Sequence, residues 1–198
     1  MIAGRKGEDM THTLFTAFAF GPAESFSNID PTHRVDAVFG AVHPEPGWMM
    51  ARIESDRPVE SSLPLVYQGQ TRPVQYTPPD GPASPAHSIG PFPGGVTAVL
   101  IPVRKSEAWW ALPDAERRAH FGDGAGHTHT GLPYIGKIHR KLYHSRGIGL
   151  GYDFVTYFEF LPDDAGSFRE LLAGLRDPIG NSEWRYVEAE WEIWMTKL

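Results

Sequence analysis

The chain has 198 residues, of which 41% are hydrophobic and 21% are charged, as in an ordinary globular protein. Its formal net charge of -6 argues against a nucleic-acid-binding surface, because such surfaces cluster lysine and arginine. The lack of cysteine excludes disulfides, thiolate metal sites and a thiol nucleophile. No apolar run is as long as a membrane span and no signal peptide is evident, so we expect a cytoplasmic protein without a membrane partner.

The first half of the chain predicts two strands followed by a long loop. Residues 12–21 are apolar and aromatic and end at a Gly-Pro pair, and residues 48–56 form a second strand between prolines. Residues 61–95 are rich in proline and glycine and predict a loop. We place a boundary at the end of this loop, between an N-terminal half, residues 1–95, and a C-terminal half, residues 96–198.

The second half predicts a strand–helix–strand–strand–helix–strand order, which is that of a ferredoxin-like fold. The strands are recognised by apolar runs or by alternation, and the helices by a capping residue or an apolar face of period 3.6. Ser106 is the expected cap of the first helix, and Phe168, Leu171, Leu172 and Leu175 form the apolar face of the second. In chain order the predicted segments are 96–103, 106–122, 137–145, 152–160, 163–177 and 187–195.

Residues 126–147, GHTHTGLPYIGKIHRKLYHSRG, hold four of the nine histidines. If residues 127–129 are extended, His127 and His129 face the same side and could share a non-haem metal ion. The sequence does not place the further ligands that such a site needs. The alternative is that both are surface histidines without a ligand role.

A single cation, Arg140, shares one face of the predicted strand over residues 137–145 with Ile138 and Leu142. Arginine cannot lose its charge, so on a buried face it must meet an anion or a dipole. Three interpretations stay open: a solvated face, a pair with a glutamate, or an anion-binding group inside a cavity.

Lys105 follows the predicted strand over residues 96–103, and Trp109 and Trp110 follow within about one helical turn. These tryptophans either pack in the core, with Lys105 as a charge at the strand end, or they wall a flat cofactor whose carboxylates Lys105 holds.

Four segments within residues 96–191 occur in a characteristic order. They are IPVRKSEAWWALPDAERRAHF, GHTHTGLPYIGKIHRKLYHSRG, YDFVTYFEF and SEWRYVEAE. Together they resemble the chlorite dismutase family of haem proteins, and most of all its short-chain branch, whose members are cytoplasmic homodimers. The resemblance implies an α+β fold in which two ferredoxin-like halves form an α+β barrel of the dimeric α/β-barrel superfamily, although no sequence repeat links the halves.

The resemblance also implies a haem b cofactor (iron protoporphyrin IX) and assigns its contacts. His127 corresponds to the axial ligand of the haem iron on the proximal side, and Arg140 to a catalytic residue facing the distal side. Glu183 corresponds to the carboxylate partner of the second nitrogen of His127. Lys105 corresponds to a lysine that joins this network near a haem propionate, and Trp109 to a tryptophan packed beside the haem. His129, His139 and His144 are left without a ligand role.

The activity implied by the resemblance is that of a haem oxidoreductase, a chlorite O2-lyase that converts chlorite to chloride and dioxygen. Its substrate is a small anionic oxidant, either chlorite or peroxide, which Arg140 binds. The alternatives are a coproheme decarboxylase-like or peroxidase-like haem enzyme and a haem-binding protein without turnover. Decarboxylases of this kind need a tyrosine near the position of Lys105, and this chain has none between Tyr76 and Tyr134.

Overall fold

The computed structural model describes residues 14–41, 43–71, 91–121 and 126–198. Short 3-10 helices occur at Ala23–Ser25, Leu132–Tyr134, Pro162–Asp164 and Ser182–Tyr186. The α-helices of these ranges are α1 (Glu107–Ala111), α2 (Asp114–Ala119), α3 (His127–Gly131) and α4 (Ala165–Leu175). Their strands are β1 (Phe15–Gly21), β2 (His33–Phe39), β3 (Met49–Ser55), β4 (Leu65–Gln70), β5 (Thr97–Lys105), β6 (Ile138–His144), β7 (Phe154–Phe160), β8 (Val187–Glu190) and β9 (Glu192–Lys197).

Eight of these strands close into an antiparallel barrel. The order around it is β5, β7, β6, β4, β1, β3, β2 and β9, and β9 returns to pair with β5. β8 pairs with the other end of β5 and so prolongs the edge that β9 occupies. The strands of the N-terminal half meet those of the C-terminal half at two pairings, β4–β6 and β2–β9. The barrel therefore needs both halves to close.

The β4–β6 pairing is the narrowest contact of the barrel. Within the described residues it consists of one register pair, Gln70 with His144, beside which the Ser145 hydroxyl donates to the carbonyl of Gln68 over 2.6 Å. The two backbones come so close that a Cβ atom on Gly69 would lie 2.8 Å from the carbonyl oxygen of His144. Glycine is therefore required at this position by the space between the strands.

Alternation along the strands separates two hydrophobic cores, one inside the barrel and one outside it. On β7, Val155 and Tyr157 point into the barrel, whereas Phe158 and Phe160 point outward and pack against α4. Phe168 of α4 is fully buried there and stacks on Phe160 with ring centroids 4.5 Å apart. The outer faces of β5, β6 and β7 are thus the surface on which the helices lie.

Most of the strongly patterned segments fold as the sequence predicts. The predicted strands over 12–21, 48–56, 96–103, 137–145 and 152–160 are confirmed as β1, β3, β5, β6 and β7, with residues 12 and 13 outside the described ranges. The amphipathic helix over 163–177 is confirmed as α4, and Phe168, Leu171 and Leu172 are its buried residues. The order of elements expected for the C-terminal half is therefore present, with α3 added before β6.

Three segment predictions are wrong in detail. The loop over 61–95 contains strand β4, and residues 72–90 of it lie outside the described ranges. The helix over 106–122 is broken into α1 and α2, because Pro113 forces Leu112 out of the helical region to ψ 140°. The strand over 187–195 is two strands that meet at Trp191.

The N-terminal half contributes strands but not the expected helices. Residues 14–41 and 43–71 contain β1 to β4 and one 3-10 helix, and no α-helix is present in these ranges. The two α-helices that a ferredoxin-like half would carry are therefore not seen in this part of the chain. In the described ranges as a whole, no helix has the length and apolar character that crossing a bilayer would require.

One end of the barrel interior is polar and encloses a hydrogen-bonded chain of buried side chains. Nε2 of His33 lies 2.7 Å from the hydroxyl of Tyr157, which donates to Oε1 of Glu159 over 2.7 Å. Because the phenol gives its one proton to the carboxylate, it must accept from His33, which places a proton on Nε2 of the imidazole. Lys197 completes the chain, with Nζ 3.0 Å from Oε1 of Glu159.

Burial lowers the pKa of His33 from 6.5 to about 4; the charge of Glu159 opposes this shift, whereas Lys197 and Arg52 add to it. Between these two pH values the unfolded chain binds a proton that the folded chain does not, so the free energy of unfolding should fall as the pH drops from about 6.5 to 4. The full loss should be about 3 kcal/mol. Urea unfolding midpoints measured across this range test the expectation.

The matched variants for this experiment are His33→Gln and His43→Gln. Glutamine at position 33 keeps an uncharged N–H donor for Tyr157 but cannot take up the proton, so the pH dependence should flatten. His43 is solvent-exposed, and its replacement should leave the wild-type dependence in place. A His33→Gln variant as pH-sensitive as the wild type would contradict the assignment.

Candidate functional site

The residues that the sequence singled out meet on the outer face of the barrel. Arg140 follows Ile138 by two positions on β6 and so shares its outward face. His127 opens α3, Lys105 ends β5, and Glu183 lies in the 3-10 helix Ser182–Tyr186. Three elements distant in sequence thus bring their polar side chains next to β6.

The carboxylate of Glu183 is the centre of this group. Its Oε1 lies 3.3 Å from Nδ1 of His127 and 3.3 Å from Nζ of Lys105. Lys105 also donates to the backbone carbonyl of Glu183 over 3.3 Å. Glu183 is 8% exposed and Lys105 5% exposed, so both charges are taken out of water and compensate each other.

The pKa of Glu183 reflects this competition between burial and pairing. Burial raises the pKa, but the hydrogen bond and charge of His127 and the ammonium charge of Lys105 outweigh it and lower the value to about 2. Burial also lowers the pKa of Lys105, and the charge of Glu183 recovers part of that loss. The carboxylate is therefore ionised at neutral pH and available to orient the imidazole of His127.

A β-bulge directs Lys105 toward this carboxylate. The register of β5 against β8 shifts between Arg104 and Lys105, and the backbone N–H of Lys105 donates instead to Oδ2 of Asp153 over 2.7 Å. The Lys105 ammonium then lies 4.9 Å from the ring centroid of Trp109, which is fully buried. Trp109 is placed by α1, whose cap Ser106 accepts a hydrogen bond from the Trp109 N–H, as expected.

His127 and His129 are not placed to share a metal ion. The interpretation of residues 127–129 as extended is wrong, because they form the first turn of α3, where residues two apart point in nearly opposite directions. His129 is exposed. Within the described ranges, no group of three or more His, Cys, Asp or Glu side chains is arranged to hold a metal ion.

His127 faces Arg140 across the site. Nη2 of Arg140 lies 3.4 Å from Nε2 of His127, thirteen positions earlier in the chain. The Arg140 side chain is solvent-exposed, yet the surrounding protein desolvates its guanidinium and lowers its pKa, with Glu183 acting in the opposite direction. The guanidinium thus lies in an open recess, where it keeps its charge and can meet an anion.

The arrangement gives the imidazole two distinct nitrogens. Nδ1 is directed at Glu183, so Nε2 is the nitrogen left for a ligand, with Arg140 in front of it. A carboxylate on one nitrogen and an open second nitrogen is the usual environment of a histidine that binds a metal. Nε2 of His127 can therefore ligate a metal centre beside the permanent positive charge of Arg140.

Sequence reasoning missed two residues that hold this site together, Asp153 and Asn181. Asp153 receives the Lys105 N–H, and Asn181 is fully buried among α3, α4 and the segment of Glu183. A lone aspartate before a strand and an asparagine after Gly180 look like loop residues, so neither carries a recognisable signal.

A separate cavity of about 790 Å³ lies at the barrel end that Tyr67, Tyr152 and Trp191 line. None of the residues predicted for the functional site lines it. This cavity is therefore separate from the polar cluster around Glu183.

Comparisons with known proteins agree with the four-segment resemblance. The family model described as chlorite dismutase matches residues 59–192. A chlorite dismutase from Ideonella dechloratans is 41% identical over 78 residues, which are 39% of this chain and 25% of that protein. The chain thus spans about a quarter of the length of this curated relative.

Solved structures agree over nearly the whole fold. The dimeric chlorite dismutase from Nitrobacter winogradskyi is 29% identical, with a TM-score of 0.71 over 92% of this chain and 99% of that one. A chlorite dismutase from Candidatus Nitrospira defluvii in complex with imidazole is 19% identical, with a TM-score of 0.63 over 92% of this chain and 91% of that one, and shares the fold. The match of the family model to most of the sequence establishes that this chain belongs to the chlorite dismutase family.

Proposed function

We propose that this chain binds haem b, as proteins of its family do, and converts chlorite to chloride and dioxygen. The observation that carries the proposal is the direction of the His127 ring. One nitrogen is held by the ionised Glu183 and the other faces Arg140, so a ligand nitrogen and an anion-binding cation meet at one point. The roles assigned below to individual residues are part of this proposal.

The residues present fit a haem in two respects. His127 supplies a neutral imidazole nitrogen whose ring is oriented by a carboxylate, the donor that haem iron takes in many proteins. Nε1 of Trp109 is buried without a hydrogen-bond acceptor among the described residues, next to Lys105. A carboxylate at the edge of the macrocycle would provide that acceptor and meet the Lys105 ammonium.

The contact between Arg140 and His127 must give way when iron binds. At 3.4 Å from Nε2, Nη2 of Arg140 stands where the macrocycle would pass. Arginine has a long flexible side chain, and this one is exposed, so it can withdraw while β6 stays in place. The resemblance implies that His127 would then lie on the proximal side of a bound haem and Arg140 on the distal side.

Haem, when bound, supplies the redox chemistry that cleaves and reforms bonds of the oxidant. The protein's own residues would orient the His127 ring and hold the small anion. Glu183 would accept a hydrogen bond from the Nδ1–H of His127, which would fix the ring and make Nε2 a stronger ligand. Arg140 would attract the small anion and hold it through charge-assisted hydrogen bonds.

A homodimer is part of the proposal, supported by the dimeric form of the Nitrobacter winogradskyi protein. The division into halves 1–95 and 96–198 and the cytoplasmic location stay predictions.

His127→Ala should purify with little or no haem, because the imidazole proposed to ligate the iron is lost. The haem content per chain and the Soret absorbance of the purified protein measure this. His129→Ala, an exposed residue of the same helix, is the matched control and should keep normal haem content. Full occupancy with a normal Soret band in His127→Ala would refute the ligand assignment.

Glu183→Gln should weaken haem binding by about 10–100-fold, because a neutral amide neither draws the Nδ1 proton nor raises the basicity of the ring. Titration of the haem-free protein with ferric haem measures the affinity. Glu188→Gln is the control, since Glu188 lies on the neighbouring strand, is half-exposed and pairs only loosely with Arg104. Equal affinities in Glu183→Gln and wild type would remove the carboxylate from the proposal.

Arg140→Ala should keep its haem but lose about 100-fold in chlorite turnover, the effect of removing one preorganised donor from a reaction centre. Oxygen release after addition of chlorite and the lifetime of the Soret band are the measurements. Arg34→Ala, in which an exposed arginine paired with Asp36 is removed, should behave as wild type. Wild-type protein that binds haem but releases no oxygen would favour a carrier or sensor, and an unchanged rate and lifetime in Arg140→Ala would argue against the role of that residue.

A further inference from the structure

We infer that Asn181 is a positioning residue that fixes the ring of His127 relative to the carboxylate of Glu183. The inference rests on the proposed function, because it concerns the residues assigned to the haem. No contact of Asn181 reaches the imidazole directly, so its role is to place the elements that carry the two groups.

The backbone of Asn181 sets the start of the segment that carries Glu183. Its N–H donates to the carbonyl of Asp177 over 2.7 Å, and its carbonyl accepts from the N–H of Trp184 over 3.0 Å. These bonds join the turn after α4 to the 3-10 helix Ser182–Tyr186, in which Glu183 is the buried residue. The backbone of Asn181 thus helps to set the direction in which the Glu183 side chain points.

The side chain of Asn181 reaches the helix that carries His127. Nδ2 donates to Oγ1 of Thr130 over 3.1 Å and to the carbonyl of Gly174 over 2.6 Å. Both amide protons are therefore used, one on α3 and one on the last turn of α4. A single buried side chain thus ties α3 and the last turn of α4 to the segment that carries Glu183.

The link continues from Thr130 to the residue before His127. The Thr130 hydroxyl accepts from Asn181 and donates to the carbonyl of Gly126 over 3.1 Å, where the Thr130 N–H also donates over 3.0 Å. Gly126 has φ of +85°, and a Cβ atom on it would lie 2.7 Å from the carbonyl oxygen of His120. These contacts constrain Gly126, the cap of α3, and His127 is the first residue of that helix.

Packing around the link leaves little room for adjustment. A Cβ atom on Gly174 would lie 2.9 Å from Cγ2 of Thr130, so α3 and α4 touch through the smallest possible side chain. Asn181 is fully buried, and its Oδ1 has no partner within the described ranges.

The test compares the haem-loaded wild type with Asn181→Asp and Thr130→Val. Aspartate keeps the shape but loses both N–H donors, and valine at position 130 removes the hydroxyl that joins Asn181 to α3. The readout is the iron–imidazole stretching frequency of the ferrous haem, measured by resonance Raman spectroscopy at matched haem occupancy. Asn28→Asp, the same chemical change at an exposed loop position, is the control.

Asn181→Asp should lower the stretching frequency in the same direction as Glu183→Gln and by a smaller amount, because Nδ1 of His127 loses alignment with its carboxylate. Thr130→Val should show a smaller shift of the same sign, and Asn28→Asp none. An unchanged frequency in Asn181→Asp, or in Thr130→Val if the aspartate variant does not fold, overturns the inference while the histidine ligation stands. Wild-type protein without histidine-ligated haem instead overturns the proposed function, and the inference with it.

Discussion

The site depends on one buried carboxylate. Glu183 loses most of its hydration, and only the closeness of Lys105 and His127 makes its charge tolerable there. Removing Lys105 from this buried pair would leave the carboxylate without its cation and should cost about 3–5 kcal/mol. Because the three residues come from β5, α3 and the 3-10 helix Ser182–Tyr186, this electrostatic requirement also determines how those elements dock. The contacts of Glu183 with Lys105 and His127 thus orient the imidazole and also hold β5, α3 and the 3-10 helix Ser182–Tyr186 together.

The barrel contributes a stiff outer face rather than an internal pocket. Period-two alternation on β6 and β7 sends tyrosines and aliphatic residues inward and leaves Ile138, Arg140 and Phe158 outside. Arg140 pairs in register with Phe158, so its backbone is held by a full ladder while its long side chain reaches Nε2 of His127. Rigidity of the backbone and mobility of one long side chain are both needed if a flat group is to enter between Arg140 and His127.

Much of this architecture could be predicted from local pattern, but the short elements could not. Strands β5 and β7 and helix α4 have strong periodicity, and Arg140 was correctly placed with Ile138. Helix α3 has only five residues, and the hydrogen bond that Thr130 accepts from Asn181, 51 positions later, is a tertiary contact that no local window of sequence contains. Strand β4 is short, contains Gly69 and adjoins a proline-rich stretch. The composition of this region therefore predicts a loop where the strand lies. The grouping of His127, Lys105 and Glu183 was predicted by family resemblance and not by spacing alone.

The narrow β4–β6 contact has a consequence for how the molecule moves. Within the described residues β6 is bonded along its whole length to β7 alone, and its other edge meets the N-terminal half at little more than one residue pair. Among the described residues the β4–β6 ladder is shorter than either ladder of β5, which is paired on both edges, so amide protons near this join should exchange with solvent sooner than those of β5. The β4–β6 pairing is thus the narrowest seam of the eight-stranded barrel. The missing side chain of Gly69 lets the two strands come close enough to close that seam.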